Sequence, residues 1–142
     1  MFEDEMDKKT YRLFISQTPQ DTKEFSQFLE RLESSHDFIW ENNSQKEKVD
    51  PEILFEQIEK SEVVVILSGI YSIKKELIEN IFSIALKQDK PIVLIRPYGM
   101  ENVPLELEEK SDAVIGWNAH CIVGAIKGVL GLGDDEELGE ID

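Results

Sequence analysis

Cysteine occurs once in this chain, at Cys121, and histidine twice, so no internal disulfide can form and the inventory for a metal site is poor. No run of about 18 apolar residues is present, so no segment is expected to span a membrane as a helix. Basic residues are also short: 15 Lys and Arg stand against 30 Asp and Glu, a formal net charge of −15. Binding to nucleic acid or anionic lipid draws on clustered Lys and Arg, so neither is an expected partner. The opening MFEDEMDKK lacks the apolar stretch of a secretory signal. The expectation is a soluble, cytoplasmic protein whose acidity serves solubility or a basic partner.

What is there suits one domain, since 142 residues can bury a core without staples. Residues 1–9 are charged and read as a flexible acidic N-terminus. Residues 132–142 are rich in acids and glycine and read as a disordered acidic tail. Between them, over 10–131, strand and helix patterns alternate. YRLFIS (11–16) is apolar, and 19–34 sets Phe25, Phe28, Leu29 and Leu32 on one helical face. DFIW (37–40) is a short second strand, and Asp50-Pro51 opens a helix carrying Ile53, Leu54 and Ile58. EVVVILSG (62–69) is β-branched and apolar on both faces, as a central parallel strand requires. A helix over 72–88, strands PIVLI (91–95) and DAVIGW (112–117), and a helix over 119–130 complete the series.

Such alternation implies an α/β, flavodoxin-like three-layer sandwich: a five-stranded parallel sheet, order 2-1-3-4-5, with helices on both faces. Ligands in such sheets gather at the carboxyl ends of the strands, near the switch between strands one and three. The cleft candidates are therefore Ser16, Gln17 and Thr18, Trp40, Ser68, Gly69 and Tyr71, Arg96 and Tyr98, and Asn118.

SQTPQDT (16–22) begins like a phosphate loop, but Pro19 has no N–H to offer and Asp21 sets a negative charge where phosphate would lie. The same letters form a helix start, with Thr18 as N-cap, Pro19 at N1 and Asp21 at N3. A phosphoacceptor receiver needs acids after strand one, an aspartate ending strand three and a lysine ending strand five; Ser16-Gln17, Ser68 and Trp117 stand there instead. Arg96, followed by Pro97 and Gly99, can present a fork to phosphate or carboxylate, with Tyr98 stacking beside it. Equally, it can pair with Glu101 and pin the loop. Gly69 permits close approach of a ligand. Asn118 is a natural N-cap that puts His120 and Cys121 in a first helical turn, where thiolate is favoured. Adjacent residues diverge by about 100°, however, and a cysteine here more often packs as a small buried hydrophobe.

The segments LFISQT, VVVILSGIYS, KPIVLIRPYG, ENVP and IGWNAHCI, spread over residues 10–130, resemble the small TIR-like domain family. That family includes archaeal single-domain proteins, short ones of methanogens among them, and the TIR-like subunit of Thoeris antiphage systems. The resemblance implies the flavodoxin-like fold. Catalytic members cleave NAD⁺ or convert it to cyclic ADP-ribose signals, using a glutamate on the helix after strand three. That helix reads roughly W-[IV]-x-x-E-I-x-x-A before the K-P-I strand. With Ala85 and Lys90-Pro91-Ile92 as anchors, the glutamate position is Ile81 and the tryptophan position Leu77. Glu79 lies about 200° around the helix from that position.

The resulting expectation is a non-enzymatic signalling or protein-interaction module, binding protein partners through its third and fourth helices and its acidic tail. It needs no cofactor, although the resemblance leaves room for a cleft that senses NAD or another nucleotide. The rival is an NAD-consuming enzyme, a glycohydrolase or cyclase, with Glu79 or Glu76 as catalytic carboxylate, Ser16 and Tyr71 lining the cleft and Arg96 clamping phosphate.

Overall fold

Every residue of VVVIL is buried, and this segment stands at the centre of the sheet. The computed structural model describes residues 9–17, 23–99 and 102–131. The expectations for residues 1–8 and 132–142, for the Thr18–Asp21 helix start and for Glu101 fall outside the described residues. In chain order the elements are β1 (Thr10–Ile15), α1 (Lys23–Glu33), β2 (Ile39–Asn42), α2 (Pro51–Glu59), β3 (Val63–Leu67), α3 (Lys75–Lys87), β4 (Ile92–Ile95), α4 (Leu105–Glu109), β5 (Ala113–Ile115) and α5 (Ala119–Val129). All strand pairings are parallel, in the order β2-β1-β3-β4-β5.

Alternation along each strand divides the core between two faces of the sheet. Leu13, Ile15, Val63, Val65, Leu67, Val93 and Ile95 pack with Phe28 and Leu32 of α1 and Ile122 and Ile126 of α5. Phe14, Val64, Ile66, Ile92 and Leu94 face the other way, against Leu54 and Ile58 of α2, Ile78, Ile81, Phe82 and Ala85 of α3, and Leu107 of α4. Covered on both sides, β3 and β4 tolerate no polar position, which is why both read as unbroken apolar runs.

At the amino ends of the strands, Glu62 takes hydrogen bonds from Lys9 Nζ at 3.2 Å and from Arg12 Nε at 3.1 Å. Arg12 also donates to the Lys60 carbonyl at 2.9 Å, so β1 is tied to the turn before β3. Partial burial pushes the Glu62 carboxyl up, but the bonds from Lys9 and Arg12 outweigh it and hold the group below its ordinary value.

Two elements differ from expectation. The second strand is Ile39–Asn42, two residues later than DFIW, and Phe38 instead stacks on Tyr11 with ring centroids 4.8 Å apart. As an edge strand, β2 is defined by its ladder with β1, which pairs Arg12 with Glu41 and Leu13 with Asn42, and polar residues serve that ladder as well as apolar ones. Trp40 is consequently mid-strand, opposite Tyr11 and packed on the α1/α5 side, not at the strand's carboxyl end. The helix α4 was not anticipated: five residues are too few to show a period, and only Leu107 is buried.

Candidate functional site

Ser16 and Ser68 close the carboxyl ends of β1 and β3, and both side chains are committed to the sheet. The Leu67 N–H donates to Ser16 Oγ at 3.0 Å, and the Ser68 hydroxyl donates to the Ile95 carbonyl at 2.7 Å. Both residues are buried. They continue the strand ladder as side-chain stitches and present no hydroxyl to the crevice.

Beyond β2 a second knot forms. Asn42 Oδ1 accepts from the Ile15 N–H at 3.0 Å and the Ser44 N–H at 3.1 Å. The Ser44 hydroxyl donates to the Ile15 carbonyl at 2.7 Å, and Gln17 Nε2 donates to Ser44 Oγ at 2.8 Å. Gln17 is thus brought to the end of β2, where it fixes the loop that leaves that strand.

The switch point between β1 and β3 is occupied by a residue the sequence did not single out. Glu24, in the first turn of α1, reaches across the crevice, and its Oε2 accepts from the Tyr98 N–H at 3.0 Å. Its other oxygen, Oε1, is buried without a hydrogen-bond partner. The carboxylate lies over Gly69 so closely that a Cβ there would collide with it. The close approach anticipated at Gly69 therefore does occur, but the approaching group belongs to the chain itself. The glycine was the one available signal; nothing local to Glu24 distinguishes it from the other acids.

On the far rim, Tyr98 stands edge-on to Trp117, centroids 5.2 Å apart at 86°, and Trp117 meets Phe28 edge-on at 5.9 Å. Trp117 Nε1 donates to the Arg96 carbonyl at 2.8 Å. The strand-end arginine therefore has its backbone held by β5's exit, while its side chain is half-buried and engaged. Gly99, with φ of 77°, turns the chain in a left-handed conformation just after Tyr98.

Tyr71 points elsewhere. Its hydroxyl donates to Glu106 of α4 at 2.6 Å and lies 3.4 Å from Glu79 of α3. The hydrogen bond to Glu106, reinforced by burial and by the charges of Glu106 and Glu79, pushes the phenol up to about 12. Tyr71 thereby clasps α3 to α4. Ile81 is 1% exposed within the α2/α3 face of the core, whereas Glu76 and Glu79 are exposed.

Asn118 caps α5 through Oδ1, which accepts from the Cys121 N–H at 3.0 Å. Cys121 itself is exposed, contrary to its reading as a buried hydrophobe, because Ile122 and Ile126 take the inward positions of α5. Of the predicted cleft residues, Gly69 and Tyr98 meet at Glu24; Ser16 and Ser68 are bonded within the sheet, Gln17 to Ser44 and the Arg96 carbonyl to Trp117, while Trp40, Tyr71 and Asn118 have other duties and Thr18 is outside the described residues. Among the described residues no cluster of three or more His, Cys, Asp or Glu is placed to hold a metal ion.

Residues 2–102, from ahead of β1 through the loop after β4, match the family model of the Thoeris protein ThsB, TIR-like domain. No curated protein matches the chain. With most of its length under that match, the chain belongs to the Thoeris ThsB TIR-like family.

Proposed function

We propose, from membership in this family, that the protein is a non-enzymatic TIR-like signalling or protein-interaction module of the cytoplasm. The observation that carries this reading is Ile81. At the position where the resemblance calls for a cleft glutamate, the side chain is apolar and 1% exposed inside the core. The state of the crevice supports the same reading, since Ser16 and Ser68 are spent on the sheet and Glu24 fills the space over Gly69.

For the partner surface, the supporting observation is apolar exposure beside α3 and beside the short α4, which is not the fourth helix expected from the sequence (119–130, here α5). Ile73 is 70% and Leu105 66% exposed, at the approaches to the two helices that Tyr71 and Glu106 clasp together. Contacts centred on exposed apolar side chains with a charged rim are the usual make-up of a protein-binding patch.

The rival, an NAD-consuming enzyme, draws on one feature: Glu79 stands exposed beside Tyr71, just beyond the end of β3. A single experiment separates the two readings. The protein is incubated with NAD⁺ and followed by proton NMR for free nicotinamide. The module reading expects none over hours; nicotinamide that accumulates, and ceases to with Glu79→Ala, overturns it.

A further inference from the structure

The carboxylate that fills the strand-end crevice is unevenly held. Glu24 Oε2 accepts from the Tyr98 N–H at 3.0 Å, whereas Oε1 is buried with no hydrogen-bond partner. An oxygen that has lost its water and gained no donor carries a desolvation penalty, which offsets much of what the charge-assisted bond to Tyr98 contributes. Glu24 stands in the first turn of α1 and is only partly buried as a residue. A change of side-chain rotamer therefore takes the carboxylate out to solvent without moving the helix.

What the side chain would leave behind is a space floored by backbone. Gly69 lies in the turn Ser68–Ile70 after β3, and a Cβ there would overlap both oxygens of Glu24. The missing side chain is what makes the room. One N–H aimed at a small space over a glycine suits a planar, singly charged acceptor. A phosphate fits poorly, because it brings further oxygens and charge to a seat that already leaves one oxygen without a donor, in a chain of net −15. The group the seat demonstrably accommodates is a carboxylate, supplied by the chain itself.

We propose that the space between Gly69 and the Tyr98 N–H is a carboxylate-binding seat, and that Glu24 is its internal occupant, a plug that a small external carboxylate replaces when the side chain swings outward. The Tyr98 N–H then exchanges one carboxylate for another, and Glu24 regains water at the oxygen that lacked a partner. Because Glu24 is tethered beside the seat, it competes at high effective concentration and keeps the seat closed to dilute acids. The proposal rests on the self-occupied crevice that supports the module reading, and adds how that crevice is gated.

Glu24→Ala deletes Cγ and the carboxyl group, a fragment the size of acetate. The test titrates the isotope-labelled full chain, as parent, Glu24→Ala and Gly69→Ala, with sodium acetate, and with sodium chloride at matched ionic strength, following amide shifts by NMR. In Glu24→Ala, saturable shifts are expected at the Tyr98 and Gly69 amides, at acetate concentrations at least about tenfold below those the parent requires. In Gly69→Ala the new Cβ occupies the seat, and no saturable shift at Tyr98 is expected. Thermal melts give a second readout: acetate should raise the midpoint of Glu24→Ala above its chloride control and leave Gly69→Ala level with its own. No saturable shift in Glu24→Ala, the same shift with chloride, equal acetate affinity in parent and Glu24→Ala, or undiminished binding by Gly69→Ala would each overturn the proposal. Nicotinamide release from NAD⁺ would remove the module reading and leave the acetate result standing, so the two failures are told apart.

Discussion

Glu24 and Tyr98 meet across the carboxyl ends of the sheet, the carboxylate of the first helix accepting the backbone N–H of the loop after β4 at 3.0 Å. The contact bridges the crevice at the point where the strand order turns from β1 to β3, directly over Gly69. It makes that crevice a self-occupied one, and the first expected outcome depends on it.

Gly69→Ala places a Cβ where the Glu24 carboxylate lies, and the side chain, being flexible at its end, swings out and releases Tyr98. The loss of one hydrogen bond to a charged group, partly offset by relief of the unpartnered Oε1, sets the effect at about 1 kcal/mol. Urea denaturation should show that Gly69→Ala and Glu24→Ala are non-additive, with the double variant close to either single one. Additive losses would mean that the two residues do not act on each other.

Ile81→Glu introduces a carboxylate into a core position that is 1% exposed. The expected outcome is destabilisation by more than about 4 kcal/mol, seen as loss of the cooperative thermal transition, because a buried charge there has no partner. Glu79→Ala, at an exposed position, should stay within about 0.5 kcal/mol of the parent. The comparison measures directly how inaccessible position 81 is to a glutamate.

Tyr71 should be the tyrosine that ionises near pH 12, later than the ordinary value of 10, because Glu106 holds its proton. Its folded-state value is raised, so the stability linked to this bond is present below about pH 10 and is lost as pH climbs toward 12. Phenolate absorbance during alkaline titration checks the assignment, since Tyr71→Phe should delete the late component. Persistence of that component in the variant would assign it to another residue.

Glu62 works in the opposite direction. Its folded-state value is lowered by Lys9 and Arg12 in spite of its partial burial, so its contribution is present above the ordinary carboxylate value and disappears as pH falls through the folded one. Thermal melts from pH 7 down to pH 3 should show a shallower decline for Glu62→Gln than for the parent. Parallel declines would remove this group from the acid response.

Much of the architecture was legible because burial on two faces leaves a strong trace. Val63–Leu67 and Ile92–Ile95 read as central strands from composition alone, and alternation with helices implied the parallel order that the sheet has. The edges left a weaker trace. At β2 one side of the ladder is open, so Glu41 and Asn42 pair as readily as apolar residues and the boundary moved by two positions. In α4 a single buried leucine cannot establish a period.

The chain by itself determined the α/β class, the capping role of Asn118 and the apolar character of position 81, since each follows from residue type and local spacing, and the fold class in turn pointed to the strand order that the sheet has. Only the tertiary structure decided which groups the strand ends offer. Ser16 and Ser68 turned inward because their buried hydroxyls found backbone partners on neighbouring strands, and Gly69 was approached by Glu24 of another element. Gln57, polar in an otherwise ordinary helical segment, is a buried amide without a hydrogen-bond partner. Hydrogen-bond satisfaction is a property of positions brought together in space, so no local pattern of residues announces it.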